Sequence, residues 1–197
     1  MAAAAAAAAA LLAVATAPTP TAADGLRGIF GERRQWHTLS ADFDGPYAKE
    51  WSTNNPFLNY RLDCTWTHVA SGAERVVPGF FAADGNAAVT SSAEGRVWRC
   101  HFAPPRTGRW ALRASFRKGW QVAIAADRNA GAGTSFHGAM GSVDVGGTDK
   151  GYPDFRRRGK LVYSSSRYMR TQGSKEVFLR VGPNSPENIL GYNVRFL

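Results

Sequence analysis

The sequence predicts an all-β fold, an immunoglobulin-like antiparallel β-sandwich, from three observations. Apolar and polar residues alternate in many short segments, turn-forming residues separate these segments, and no amphipathic helix is found from Arg34 to the end. Alternation with a period of two places one side of a strand on a core and the other side in water. Many short strands with a turn after about every ten residues are typical of such a sandwich.

The alternating segments follow one another along most of the chain. They cover residues 39–43, 62–66, 98–102, 110–116, 122–126, 143–145 and 177–181. Turn formers lie between them, at residues 44–46, 54–56, 84–86, 104–105 and 182–183. Gln172-Gly173 predicts a late hairpin, and the glycine-rich stretch 129–147 is expected to hold a mobile loop.

The N-terminus predicts a secretory leader. Nine alanines follow Met1, an apolar run continues to Ala17, and no charge occurs before Asp24. Such leaders usually begin with basic residues, which are missing here, so a low-complexity start is the alternative. The predicted division is a signal peptide over 1–23, a linker over 24–33 and the sandwich over 34–197. The run is too short and too rich in alanine to span a membrane well, so we expect a secreted, extracellular protein without a membrane partner.

The net charge of +9 predicts attraction to polyanions, and the charge is concentrated near the C-terminus. From residue 151 to 197 there are nine basic residues against three acidic ones. The densest run is Arg156-Arg157-Arg158, which is either a solvated basic turn or a contact for acidic polysaccharide. Nucleic acid is not an expected partner, because the leader indicates export and no helix is predicted to enter a groove.

Two cysteines, Cys64 and Cys100, have the same inward parity as the neighbouring Trp66 and Trp98. If their strands face each other, the cysteines can form a disulfide, which export would favour. The alternative is a pair of buried free thiols that pack as small hydrophobic side chains.

No residues in the sequence predict a catalytic or metal site. Glycoside cleavage by retention needs two carboxyl groups about 5–5.5 Å apart, and the acidic residues here lie mostly in turns without an evident partner. No two of the four histidines have the close spacing of a zinc site. We therefore expect no catalytic residue, no bound metal and no cofactor. The residues considered are Asp42, Asp44, Asp63, Asp84, Asp127, Asp154, Glu187, His37, His68, His101 and His137.

Two tryptophans are candidates for stacking on sugar rings, whose apolar faces suit a flat aromatic side chain. Trp51 is in a polar segment that predicts an exposed loop, and Trp120 follows Arg117-Lys118-Gly119 at a predicted rim. Trp51 could instead pack against a neighbouring domain. The other four tryptophans, Trp36, Trp66, Trp98 and Trp110, are expected in the core.

Several motifs follow one another in a recognisable order along the chain. The longest is the Pro-Gly-Phe-Phe-Ala-Ala-Asp-Gly-Asn stretch at residues 78–86. The other motifs are at residues 36–37, 43–46, 55–62, 98–102, 107–110, 154–156, 159–161 and 185–188. In this order they resemble the family named domain of unknown function 5060, and the resemblance extends over about residues 32 to 192.

This resemblance implies an immunoglobulin-like domain of the kind that precedes a (β/α)₈ barrel in secreted glycoside hydrolases. No barrel is expected within these 197 residues. The predicted function is that of a non-catalytic accessory module of carbohydrate-active proteins, which binds polysaccharide or buttresses a glycoside hydrolase barrel outside this chain. The alternative is a free-standing extracellular domain for adhesion or protein interaction.

Overall fold

The computed structural model describes residues 25–164 and 167–179, and most of these residues belong to antiparallel strands. In chain order the strands are β1 Leu26–Phe30, β2 Leu39–Lys49, β3 Tyr60–His68, β4 Glu74–Pro78, β5 Phe80–Phe81, β6 Glu94–Phe102, β7 Gly108–Lys118, β8 Ala132–Gly133, β9 Met140–Val145, β10 Leu161–Tyr163 and β11 Met169–Thr171. The helical elements are single turns: α1 Pro56–Asn59, α2 Ala87–Thr90, and two turns of 3-10 helix at Val122–Ile124 and Phe155–Arg157.

The strands form two main sheets that enclose one core. One sheet has four strands in the order β1-β2-β6-β5. The other has five strands, in which β4, β3 and β7 are neighbours and β7 also pairs with both β8 and β9. A separate hairpin joins β10 to β11. The predicted all-β, immunoglobulin-like antiparallel sandwich is confirmed.

Alternate residues of both sheets meet in the core. Phe43 of β2 and Trp98 of β6 are paired in one sheet, and Trp66 of β3 and Leu112 of β7 are paired in the other. All four side chains are buried. Stacked rings join the sheets, as in the contact of Trp66 with Phe102, whose ring centroids are 4.6 Å apart. The burial of this apolar surface is the main term that stabilises the sandwich.

The Pro78-Gly79 dipeptide moves the chain from one sheet to the other. Pro78 ends β4, which pairs with β3, whereas Phe80 begins β5, which pairs with β6. Gly79 donates its backbone N–H to the carbonyl of Leu62, and a Cβ at this position would lie 2.4 Å from a Leu62 methyl carbon. The close crossing therefore requires glycine, which explains part of the motif at residues 78–86.

The predicted linker over 24–33 is wrong for its central part. Leu26–Phe30 forms β1, an edge strand that pairs with β2, and Leu26 and Ile29 pack against the core. Its apolar residues are too few to show a clear alternation, so the pattern resembles a linker. Residues 1–23, with the predicted signal peptide, and residues 180–197, with the motif at 185–188, lie outside the described residues.

The strand predicted over 122–126 is also wrong, because the chain turns before it. The backbone N–H of Gly119 bonds to the carbonyl of Asn59, Gln121 adopts a left-handed conformation, and a 3-10 turn follows. Of the alternating residues only Val122 is buried, whereas Ile124 is exposed. Three alternating apolar residues are compatible with either structure.

Other local predictions agree with the structure. An antiparallel bridge between Arg170 and Val177 supports the late hairpin, and β9 occupies the segment predicted at 143–145. Trp66, Trp98 and Trp110 are in the core, as expected. Trp36 is only half-buried. No helix among the described residues has the length and apolar character needed to cross a membrane.

Gly95 provides a test of the packing between β6 and the loop that precedes it. A Cβ at Gly95 would lie 2.1 Å from the carbonyl oxygen of Ala83, and this backbone atom cannot rotate away. We expect Gly95→Ala to lower the free energy of unfolding by about 1–3 kcal/mol, as measured by urea denaturation. Gly147→Ala is the matched control, since no atom lies within 4 Å of its added Cβ. Equal urea midpoints for the two variants would contradict the close contact between Gly95 and the carbonyl of Ala83.

Candidate functional site

Two loops at one end of the sandwich carry the most exposed tryptophans. Trp51 follows the end of β2 and Trp120 follows the end of β7, and they are 73% and 81% exposed. β3 begins at this end, where Tyr60 pairs with Lys118 of β7. We call this region the aromatic end. Both predicted sugar-stacking residues therefore lie on the same end of the molecule, with their rings in solvent.

The buried side chain of Asn59 holds the two loops in place. Its amide nitrogen donates to the carbonyl of Thr53, 3.4 Å away, in the loop that carries Trp51. Its amide oxygen accepts from the backbone N–H of Gln121 at 3.1 Å, directly after Trp120. The N–H of Gly119 bonds to the Asn59 carbonyl at 3.0 Å. One asparagine thus links both loops, which fixes their relative positions.

A cleft of about 240 Å³ lies beside α1 and the Val122–Ile124 turn. Its lining includes the rings of Phe57 and Phe80 together with the charged side chains of Arg61, Asp63 and Arg128. Arg61 Nε lies 3.2 Å from Asp63 Oδ2, and both side chains are largely buried. Aromatic surface next to a fixed guanidinium–carboxylate pair suits a small polyhydroxylated ring, with apolar contact on one face and hydrogen bonds at the edge. Sequence reasoning missed this cleft.

The predicted basic run lies at the opposite end of the sandwich and is paired with acids. Arg156 Nη2 lies 2.6 Å from Asp154 Oδ2, and its Nη1 lies 3.4 Å from Glu32 Oε2. Arg157 and Arg158 each lie 3.3 Å from a carboxylate oxygen of Glu176. Trp51 and Trp120 therefore share no surface with Arg156, Arg157 and Arg158, and the basic run is largely neutralised.

The same end holds a histidine–carboxylate cluster that sequence reasoning also missed. His37 is almost fully buried, its Nδ1 is hydrogen-bonded to Glu32, and its Nε2 lies 2.9 Å from Thr148 Oγ1. Possible metal-ligating atoms of Glu32, His37 and Asp149 lie within 4.8 Å of one another. His37 and Asp149 are 112 positions apart in the sequence, so no short spacing motif connects them and the sequence contains no signal for this cluster.

Cations already occupy the space around these carboxylates. Lys150 Nζ lies 3.3 Å from both Glu32 Oε1 and Asp149 Oδ1, and Arg34 Nε lies 3.1 Å from Asp149 Oδ2. A metal ion would have to displace the lysine ammonium and would be repelled by the arginines. The geometry therefore favours an ion-pair network that joins the start of the sandwich to the segment after β9.

The carboxylates of Glu32 and Asp149 are as close together as the two catalytic carboxyl groups of a glycosidase. Their pKa values, however, do not suit a catalytic role. The hydrogen bond with His37 and the nearby Lys150 lower the pKa of Glu32. Desolvation raises the pKa of Asp149, but Lys150 and Arg34 outweigh it and leave that pKa lowered. A general acid needs a raised pKa, so that it carries a proton near neutral pH. Neither carboxyl group has this property.

Acid titration of Asp154 tests the ion-pair network, because Arg156 contacts both Asp154 and Glu32. Hydrogen bonds from the side chain and backbone of Arg156 lower the pKa of Asp154 from 3.8 to about 2. Folding therefore favours the ionised form, so its stabilising effect is complete above pH 4 and is lost as the pH falls toward 2. We expect the amide shift of Arg156 to titrate with a midpoint near 2 in NMR spectra. Asp154→Asn should abolish this titration, and a midpoint at the ordinary value of 3.8 would contradict the interaction.

The two cysteines face each other between the sheets. Cys64 is on β3 and Cys100 is on β6, both are fully buried, and both are free thiols in the structure. The side-chain hydrogen bond with Cys100, together with burial, raises the pKa of the Cys64 thiol. The raised pKa disfavours the thiolate that Cys64 would need as a nucleophile, whereas the hydrogen bond with Cys64 lowers the pKa of Cys100. The predicted disulfide stays a prediction.

Comparison with known proteins finds one family model that matches part of the chain. Residues 32–117 match the family model described as Domain of unknown function (DUF5060). No curated protein matches the chain. A solved structure of a protein described as a putative glycoside hydrolase from Bacteroides vulgatus ATCC 8482 is similar, with a TM-score of 0.46 and 16% identity. The similarity covers 73% of this chain but only 20% of the other.

The family match agrees with the resemblance of the sequence motifs, although it ends before the later ones. It contains β2 to β6, all but the last residue of β7, and the Pro78-Gly79 crossing between the sheets. Residues 32–117 of this chain are therefore similar to the DUF5060 family.

Proposed function

We propose that the chain is a non-catalytic accessory module of carbohydrate-active proteins, and that its aromatic end holds polysaccharide. The observation that carries this proposal is the exposure of Trp51 and Trp120 on two loops that Asn59 joins. Exposed apolar side chains that are grouped on one surface are typical of binding sites. Flat rings held in fixed positions on neighbouring loops suit the apolar faces of sugar rings in a glycan.

The environments of the described carboxylates support the non-catalytic part of this proposal. Asp42 is bound to Arg99 at 2.6 Å and Asp63 to Arg61 at 3.2 Å, which keeps each of these carboxylates occupied by a guanidinium. Glu32 and Asp149, the two that lie close together, both have a lowered pKa. Asp84, Glu94 and Asp154 also have a lowered pKa, which does not suit a general acid.

Retention on insoluble polysaccharides tests the function. The purified chain is mixed with a panel of plant and algal cell-wall polysaccharides at low salt, and bound and free protein are measured after sedimentation. We expect retention on at least one of them, with no release of reducing sugar. Retention on none would reject the binding role and leave only the buttress role. Sugar release that a single Asp or Glu substitution abolishes would reject the non-catalytic role.

A protein partner is the second candidate, favoured by further apolar residues at the aromatic end. Phe57, Val89 and Ile124 are also exposed there, and the backbone N–H of Glu50, beside Trp51, bonds to the carbonyl of Ala93 near α2. Such a surface could contact a catalytic barrel or an adhesion partner. Retention on polysaccharide that depends on Trp51 and Trp120 would favour the glycan over the protein partner.

Export is part of the proposal, and it would allow the facing thiols to bridge. Oxidation of Cys64 and Cys100 by an external disulfide would form one S–S bond, with two protons and two electrons passing to the oxidant. We expect protein recovered from an oxidising compartment to contain no free thiol by mass spectrometry after alkylation in denaturant. A reduced cytosolic preparation, the control, should contain two. Two free thiols in both preparations would contradict the bridge.

A further inference from the structure

A polar groove of about 300 Å³ runs over the outer face of the five-stranded sheet. Its floor is formed by β3 and β7, and one wall is formed by the segment between β8 and β9. The side chains that line it with polar groups are Thr65, Arg113, Ser115, Arg117, Asn129 and His137. No carboxylate is among the lining residues within the part of the chain that the structure describes.

The arginines of β7 share this face because of their spacing. Arg109, Arg113 and Arg117 are four residues apart, and a strand directs every second side chain to the same side. The intervening Leu112, Ala114 and Phe116 are buried in the core. At a rise of about 3.4 Å per residue, successive arginines start about 14 Å apart. The face therefore presents a row of three arginines, with Asp144 of β9 opposite Arg109 and Asp63 of β3 opposite Ser115.

These arginines form no salt bridge with a described carboxylate. Arg109 donates to Ser142 Oγ at 3.0 Å and Arg117 donates to the carbonyl of Gly131 at 2.8 Å, but neither forms a salt bridge with a described carboxylate. Arg113 is exposed and forms no side-chain hydrogen bond or salt bridge within the described residues. By contrast, each arginine of the 156–158 run is ion-paired. Arg113 and Arg117 of β7 therefore carry charge without an ion-pair partner among the described residues, whereas Arg109 has Asp144 of β9 as its cross-strand neighbour.

The groove also contains donors that lack an acceptor. The Nε of Arg117 is buried and has no hydrogen-bond partner among the described residues, a costly arrangement unless a ligand or water accepts from it. His137 Nδ1 accepts from the backbone N–H of Phe116 at 3.1 Å, so the proton of the neutral ring is on Nε2, where it can be donated. Guanidinium and imidazole donors that form no salt bridge are suited to bind an anion, and the nearby Asp63 is already paired with Arg61.

We infer that this groove, which we call the β7 groove, binds the carboxylate or sulfate groups of an acidic polysaccharide. The inference rests on the proposed accessory function for its choice of polymer. Guanidinium groups bind planar or tetrahedral oxyanions through paired N–H donors. A row of arginines along an open groove suits a repeating polyanion better than a small enclosed ligand. The site is distinct from the aromatic end, which suits neutral sugar faces.

The test measures binding of the full chain to three soluble polymers by affinity electrophoresis. They are polygalacturonate, dextran sulfate and neutral dextran, which separate carboxylate, sulfate and uncharged ligands. We expect binding to at least one anionic polymer and no β7-dependent binding to dextran. Arg113→Gln should weaken anionic binding about tenfold, since a charge-assisted hydrogen bond is lost. Its melting temperature should not change, because the side chain is exposed and unpaired.

Arg96→Gln is the matched control. Arg96 is also exposed and lacks a described partner, but it lies on β6 in the other sheet. The control should bind within about twofold of the unmodified chain, since it loses the same charge without losing a groove contact. Equal weakening by the two substitutions would overturn the inference, because attraction would then reflect net charge alone. Tighter binding of poly(U) RNA than of both anionic polymers, lost in Arg113→Gln, would also overturn it.

Comparison of Arg113→Gln with the variant of the aromatic end distinguishes failure of this inference from failure of the proposed function. If Trp51→Ala/Trp120→Ala abolishes retention on polysaccharide while Arg113→Gln changes nothing, the β7 groove is rejected and the accessory function stands. If Arg113→Gln weakens anionic binding while the tryptophan variant binds normally, the groove is supported and the role of the aromatic end is rejected.

Discussion

Replacing Trp98 with alanine is expected to lower the free energy of unfolding by about 3–5 kcal/mol. Trp98 is 2% exposed, and its ring lies against Tyr60, Phe81 and Phe116 at centroid distances of 5.1, 5.2 and 4.7 Å. These residues belong to both sheets, so removal of the indole leaves a cavity between them. A melting temperature lower by about 10 °C should result for a domain of this size.

Thermal and urea denaturation both measure this effect. Val89→Ala is the control, because Val89 is 78% exposed on α2 and should change stability by less than about 0.5 kcal/mol. A loss below about 1 kcal/mol for Trp98→Ala would contradict the placement of Trp98 at the centre of the aromatic core.

The double substitution Trp51→Ala/Trp120→Ala is expected to weaken retention on polysaccharide by about tenfold or more. Loss of two stacking surfaces removes the main apolar contact that the proposal assigns to the glycan, and each 1.4 kcal/mol changes affinity about tenfold. Both side chains are mostly in solvent, so the melting temperature should stay the same. Sedimentation with the retaining polysaccharide measures the first effect, and calorimetry measures the second.

Tyr163→Ala is the matched control for this variant. Tyr163 is 76% exposed on β10, in the segment that follows the basic run and not at the aromatic end. Its loss should leave retention unchanged. Similar retention by the tryptophan variant and the unmodified chain would contradict the role of the aromatic end.

Much of the fold could be predicted from the sequence, because the alternation of apolar and polar residues that marks a strand lies within a few consecutive residues. The alternation of Trp110, Leu112, Ala114 and Phe116 marks the inward face of β7, since a strand directs alternate side chains to the core. The same rule places Cys64 and Cys100 inward, and both are buried. The prediction of a single strand at 122–126 was wrong because three residues are too few to distinguish a strand from a turn.

The candidate sites depend more on contacts between distant residues. Exposure of Trp51 and Trp120 could be predicted from their polar surroundings, but the Asn59 contacts that join their loops could not. The basic run at 156–158 was prominent in the sequence, yet its partners Glu32 and Glu176 are far along the chain. The four-residue spacing of Arg109, Arg113 and Arg117 is visible in the sequence, but only Arg113 lies within the predicted strand 110–116, and the structure extends β7 over all three.

NMR of the six tryptophan indole groups tests the central claim most directly. A ¹⁵N-labelled chain is titrated with soluble fragments of the polysaccharide that retains it, and each indole N–H signal is assigned by substitution. The signals of Trp51 and Trp120 should shift with a common affinity, while those of the buried Trp66, Trp98 and Trp110 should not. A titration in which neither loop tryptophan responds, although the fragments bind, would contradict the proposed glycan-binding surface.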